Sequence, residues 1–230
     1  MPFETFHNLP IDKQEKILAV AIKEFKDHPY VSASISAIVR DAGIAKGSFY
    51  QYFADKKDLY LHILELGMAR KLKLVTQFRP PSGNLKTFDY LKWMMQASVQ
   101  FELTHPDLAR IAYRAFVEEV PFPEEVGNLM RQGGASYFND FLAQGILHDD
   151  VAPWVDTEMA AYLLQTIYNS FGQYLLSRIR SLQGHPSSQA IDLFSNTEAL
   201  ALFDNLMELI EAGMGRDPEI RRQFYSKDSR

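Results

Sequence analysis

The chain has 230 residues, 47% of them hydrophobic, which allows a sizeable core and excludes global disorder. It has no cysteine, so disulfides and cysteine-ligated zinc are excluded. Net charge is −5 but unevenly spread: residues 1–79 hold 12 Lys/Arg against 9 Asp/Glu, and residues 80–230 hold 12 against 20, so a polyanion is expected to meet the N-terminal part.

The first residues carry no charged-then-apolar signal pattern, and no apolar stretch is long enough to span a membrane. A cytoplasmic protein is the expectation. Almost every segment then reads as helix. Asn8-Leu9-Pro10 offers a cap and an early proline, followed by the stripe Leu18, Ile22 and Phe25, which Pro29 ends. Ser34 is placed to cap a short second helix with Ile35, Ile38 and Val39, closed at Gly43 by a left-handed turn. A third short helix covers residues 45–53. Asp55, with Asp58 in a box-like position, starts a long fourth helix that runs to about Arg79 and stops at Pro80-Pro81. Further helices are expected at about 84–104, 107–117, 122–144, 156–182 and 197–213. Their breakers are His105-Pro106, Pro121/Pro123, Gly145, Pro153 and Gly184-His185-Pro186, with Ser195 and Glu198 as a capping box and Gly213, Gly215 and Pro218 as the end. The expected class is all-α, with about nine helices.

The stretch GIAKGSFYQYF, residues 43–53, sorts by helical angle. Phe53 falls about 40° from Phe49, so both can anchor the helix, whereas Gly47 and Gln51 fall about 160° and 200° away. Lys46 and Tyr50 line one shoulder; Ser48 and Tyr52 line the other. An outward ridge of this composition suits a DNA groove. Gly47 lets the backbone come close, Gln51 can pair with a base edge, and Ser48, Tyr50 and Tyr52 can donate to phosphates. Lys46 and Lys56 add charge, and Ser34 and Ser36 stand where the preceding helix meets a flanking phosphate. The alternative is a plain three-helix corner with surface tyrosines, since such shapes occur without DNA.

Residues 34–53, followed by Ala54-Asp55-Lys56-Lys57-Asp58-Leu59, resemble the N-terminal DNA-binding domain of the TetR family of transcriptional regulators. Gly43, Lys46-Gly47, Phe49-Tyr50, Tyr52-Phe53, Lys56 and Leu59 are in register over roughly residues 10–70. The resemblance implies an all-helical homodimer. Its N-terminal three-helix domain, residues 1–54 and extending to about 70, would bind double-stranded operator DNA through a helix-turn-helix at about 34–53. Residues 55–230 would bind a small effector and the partner subunit. It also implies DNA contacts at Ser34, Ser36, Lys46, Gly47, Ser48, Tyr50, Gln51, Tyr52 and Lys56. One departure is His28-Pro29-Tyr30, where the family usually has a glycine before the aromatic; the proline should stiffen that turn.

In the body, the segment 156–182 and the last helix are apolar over more than one stripe. Either they bury within one chain, or Phe171, Leu175, Leu202, Phe203, Leu206, Leu209 and Ile210 pair with a second copy. Trp93, Met94, Phe101, Tyr113, Phe116, Tyr137, Phe141 and Tyr168 are candidates for core or for an apolar effector pocket. Gly133-Gly134 could kink its helix or leave room for a ligand, and Arg110, Arg114, Glu118 and Glu119 could orient a polar one. The six histidines are scattered and no nucleophile or phosphate-loop motif is present, so no cofactor, metal or catalytic residue is expected. His148-Asp149-Asp150 reads as a solvated turn. The expected function is a ligand-responsive transcriptional regulator, most simply a repressor. The alternatives are an activator or chromosome-associated protein of the same fold, or an all-helical enzyme or lipid carrier.

Overall fold

The computed structural model describes residues 2–77, 86–118, 120–132, 135–183 and 196–216. Pro80-Pro81, Glu119, Gly133-Gly134, Gly184-His185-Pro186, Ser195 and Pro218 lie outside them, as does the side chain of Tyr137. The described residues form eleven helices and no strand beyond one isolated bridge between Val151 and Gly215. The chain divides into two compact units, Met1–Lys73 with His105–Leu129, and Leu74–Thr104 with Met130–Arg230.

The first unit opens with a one-turn helix that the sequence reading did not anticipate, α1 (Glu4–His7). Four residues are too few to show a period, so only its packing reveals it. Asn8 ends α1 instead of capping the next helix, and α2 (Ile11–Asp27) starts behind Pro10 without a side-chain cap. Helix α3 (Ile35–Ala42) is capped by Ser34, whose Oγ accepts the Ala37 N–H at 3.3 Å. It closes at Gly43, φ 72°, where the Ile44 N–H reaches back to the Val39 carbonyl at 3.0 Å. Helix α4 (Lys46–Tyr52) follows the turn. Helix α5 (Lys56–Gln77) begins with the expected box: Asp55 Oδ1 accepts the Asp58 N–H at 2.8 Å, and Asp58 Oδ2 accepts the Ala54 N–H at 3.1 Å.

Helix α7 (Pro106–Val117) and most of α8 (Pro123–Gln132) also belong to this unit. Helix α7 buries Leu108, Ala109, Ile111 and Ala115 and packs on α2. Arg114 fastens it, donating to the Lys26 carbonyl at 3.1 Å while pairing with Glu118 at 2.6 Å. Helix α8 follows, and Phe122 before it stands edge-on to Tyr30, ring centroids 4.7 Å apart.

The second unit holds α6 (Thr87–Thr104), α9 (Ala135–Leu147), α10 (Thr157–Gln183) and α11 (Thr197–Met214). The single helix expected at 122–144 is thus two, α8 and α9, which with α1 accounts for the count above nine. Gly145 lies inside α9, not at its end. A Cβ there would sit 2.6 Å from Val151 and 3.0 Å from Thr87, so glycine serves a close approach. Asn196 caps α11 by accepting the Ala199 N–H at 3.0 Å. Asp150 accepts both the backbone N–H and the hydroxyl of Thr87, at 2.8 and 2.9 Å, and so ties down the start of α6. Among the described residues no cluster of His, Cys, Asp or Glu could hold a metal ion, and no helix is long and apolar enough to cross a membrane.

Candidate nucleic-acid interface

Helix α4 is held from below by rings. Phe49 and Phe53 are fully buried, their centroids 5.6 Å apart, and Phe6 of α1 lies 4.9 Å from Phe53. With that face fixed, Lys46, Gly47, Tyr50 and Gln51 are exposed and Ser48 is half-buried. A Cβ at Gly47 would meet nothing within 4 Å. No internal contact therefore requires glycine there, and the bare backbone faces outward. On α3, Ser36 is exposed, while Ser34 is half-buried with its hydroxyl oxygen engaged as the cap.

Two candidates stand elsewhere than expected. Tyr52 is only 7% exposed instead of lining an outer shoulder. Helix α1 covers it: its ring lies 6.2 Å from Phe6, and its carbonyl accepts the Phe3 N–H at 2.8 Å. Lys56 is turned toward the chain itself. Its Nζ donates to the carbonyls of Tyr30, Val31 and Ala33, at 2.7, 3.2 and 2.8 Å, and sits 4.6 Å over the Tyr30 ring. Burial there pushes its pKa below the usual lysine value. Lys56 thus secures the loop that delivers Ser34 to α3. Glu24 does the same from α2, its Oε1 accepting the Ser34 N–H at 2.8 Å.

Sequence reasoning did not single out Lys16, an exposed lysine of α2. Its Nζ lies beside the Gly43 turn, 3.5 Å from where a Cβ would stand, and adds positive charge there. The only signal for it was its charge on the polar face of α2. The assembled surface is a short helix with a cation, a bare backbone, a phenol and a carboxamide in a row, the set of groups that can meet phosphates and base edges.

The pocket candidates divide between the units. Trp93 and Met94 are buried in the core of the second unit, and Phe141 and Tyr168 pack against it. Phe101 is buried on α6. Tyr113 and Phe116 lie on α7 in the first unit, half-buried and exposed respectively, so they do not join that core. Of the interface candidates, Phe171, Leu175, Phe203 and Ile210 are buried within the protomer, Leu202 and Leu206 are half-buried, and Leu209 is exposed. The stripes of α10 and α11 that carry the buried four are used against α6 and α9. Among the described residues, the large apolar side chains left outward on these helices are Met159, Tyr162, Leu163, Tyr174 and Leu209.

Comparison with known proteins identifies the family. The family described as bacterial regulatory proteins, tetR family, matches residues 17–63, and the tetracyclin repressor-like C-terminal domain matches residues 85–214. A TetR family transcriptional regulator from Chloroflexus aurantiacus J-10-FL is 35% identical, covers 94% of this chain and 100% of its own, and superposes with a TM-score of 0.77. The HTH-type transcriptional regulator YhgD of Bacillus subtilis is 23% identical over 70% of this chain and 82% of its own length. FadR of Bacillus subtilis, solved in complex with stearoyl-CoA, shares the fold at 15% identity, with a TM-score of 0.63 over 86% of this chain and 98% of its own. With the DNA-binding segment and the C-terminal domain both matched, the chain belongs to the TetR family and is a transcriptional regulator, not an enzyme.

Proposed function

We propose that the protein is a repressor that binds a palindromic operator as a homodimer and leaves it when a small, largely apolar or aromatic effector occupies the second unit. The observation that carries the DNA part is the exposed row Lys46, Gly47, Tyr50 and Gln51 on a helix whose opposite face is fully buried. Two copies of α4 would enter successive major grooves, roughly 34–36 Å apart. The outward apolar residues of α10 and α11 support a partner subunit covering them. That FadR carries stearoyl-CoA on the same fold supports a small-molecule effector as a class, without fixing which. The effector acts by its differential affinity for the DNA-competent and DNA-incompetent forms, and α5, continuous across the boundary between the units, is the natural lever. A DNA partner supports a cytoplasmic location.

Selection of random duplexes by the purified protein should yield a two-fold symmetric site. Gln51→Ala should relax preference at one position per half-site by about 1–3 kcal/mol, read by competition between matched and mismatched duplexes. Selection that returns no symmetric site, or a monomer by light scattering at micromolar concentration, would overturn this reading. A reporter with the selected site overlapping its promoter should fall in output; a rise would mean activation.

A further inference from the structure

Helix α4 has only seven residues, carries Gly47 in its first turn and starts without a side-chain cap. A helix that short has little stability of its own, so its geometry is set by what holds it. Phe49 and Phe53 decide which face lies inward. They do not satisfy its last carbonyls, which lack partners within the helix. Two of those carbonyls are met from α1. The Phe3 N–H donates to the Tyr52 carbonyl at 2.8 Å, and the Thr5 hydroxyl donates to the Gln51 carbonyl. Phe6, 1% exposed, adds its ring against Phe53 and Tyr52, with centroids 4.9 and 6.2 Å away.

Helix α1 is itself fastened. Gln14 of α2 donates through Nε2 to the carbonyls of His7 and Leu9, at 3.0 and 2.9 Å, where α1 ends. Glu24 of the same helix holds the Ser34 amide at the start of α3. Both helices of the helix-turn-helix are thereby referenced to α2, α3 directly and α4 through α1. The residue whose carbonyl Thr5 engages is also the one that exposes a carboxamide able to pair with a base edge. Base readout needs placement to within about 0.5 Å, whereas a cation attracts phosphates over longer distances. Support of the Gln51 backbone therefore bears on discrimination between sequences more than on affinity for duplexes at large.

We propose that Thr5 and Phe6 are positioning residues for base readout: α1 clasps the end of α4 and sets Gln51 in the groove. This rests on reading α4 as the helix that meets the bases, and it names residues outside α4 that decide specificity.

Competition binding tests it, with the full-length protein, the selected duplex and a duplex changed at the base pair whose preference Gln51→Ala relaxes. Thr5→Val keeps the shape of an exposed side chain and removes the donor. It should lower discrimination at that base pair about threefold, the worth of one neutral hydrogen bond, and leave affinity for an unrelated duplex and its salt slope unchanged. Thr5→Ser returns the donor and should restore discrimination. Phe6→Leu stays apolar but loses the ring contacts, and should lower the same ratio at least as far; the two Thr5 variants carry the test should it not fold. In a Gln51→Ala background Thr5→Val should change the ratio no further, because its effect passes through Gln51. An unchanged ratio in folded Thr5→Val or Phe6→Leu overturns the proposal. So does equal weakening on every duplex, a loss that Thr5→Ser leaves in place, or one that adds to that of Gln51→Ala. These outcomes, with the wild type still selecting a symmetric site that Gln51→Ala relaxes, leave the DNA reading of α4 standing. A wild type that selects no such site, or a Gln51→Ala that relaxes no position, overturns both.

Discussion

The first unit spends its polar groups on fixing itself. Lys56 ties three loop carbonyls, Glu24 holds the Ser34 amide, and Arg114 holds the end of α2. Phe6, Phe49 and Phe53 form one ring group, and Phe25 stands edge-on to Tyr60, whose pKa burial pushes up to about 12. The second unit instead leaves buried acceptors at Ser98 Oγ and Gln165 Oε1 without a hydrogen-bond partner. A recognition surface gains from one rigid geometry, because base contacts depend on register. On the proposed reading of the second unit as an effector domain, open acceptors inside it are the counterpart of the fixed geometry of the first.

Substitutions sharpen or break that contrast. The largest effect is expected from Phe49→Ala, which should destabilise the first unit by about 3–5 kcal/mol. Both tryptophans, Trp93 and Trp154, lie in the second unit, so their fluorescence reports it separately from total helicity by circular dichroism. Early loss of part of the helicity with unchanged fluorescence supports separate units; one shared transition breaks the contrast.

Lys46→Ala and Lys56→Ala should then part company. Lys46 is exposed, so its loss should weaken binding to every duplex and reduce the salt slope by about 1. Lys56→Ala should lower thermal stability and affinity while leaving the salt slope unchanged, because its charge is spent on the loop carbonyls. Equal changes in slope would return Lys56 to the DNA surface.

Gly47→Ala should split in sign. With open space around the new methyl, helix propensity should stabilise the free protein by up to about 1 kcal/mol, while DNA affinity drops. Denaturation and gel-shift titration of the same preparation check both; unchanged affinity would show that the backbone does not approach the groove there.

The smallest effect concerns His62, packed between Phe6 and Phe53 with Glu65 at 3.9 Å. Burial first, then the nearby His7, lowers its pKa below 6.5, with Asp58 opposing. The unfolded chain therefore binds the proton more readily. Stability should be full above about pH 6.5 and fall as acid takes the pH through the depressed native value. His62→Gln should flatten the melting temperature of the first unit against pH; an identical profile would remove His62 from it.

Much of the first unit was legible because its signals are local. The Ser34 cap, the Gly43 turn, the Asp55–Asp58 box and the Phe49/Phe53 spacing each lie within a few residues. Tyr52 and Lys56 were misplaced by partners distant in sequence: Phe3 and Phe6 cover the one, and the carbonyls at 30–33 engage the other. Such pairings carry no period to read. In the second unit, apolar residues around most of α10 and α11 could not say which stripe faces the protomer's own core, because that is decided by packing on α6 and α9.

The place of α7 has a consequence for how such regulators can be recombined. The unit that reads DNA is completed by a segment that follows it only after residues 74–104, with Leu108 beneath Gly67 and Arg114 on the end of α2. A graft cut after residue 73 would transfer α4 without the helix that backs its scaffold. An exchange that preserves the donor's stability must carry 105–129 as well, so one crossover becomes three. Exchange of whole DNA readers between relatives is thereby made harder than point substitution along α4, which leaves every one of those distant supports in place.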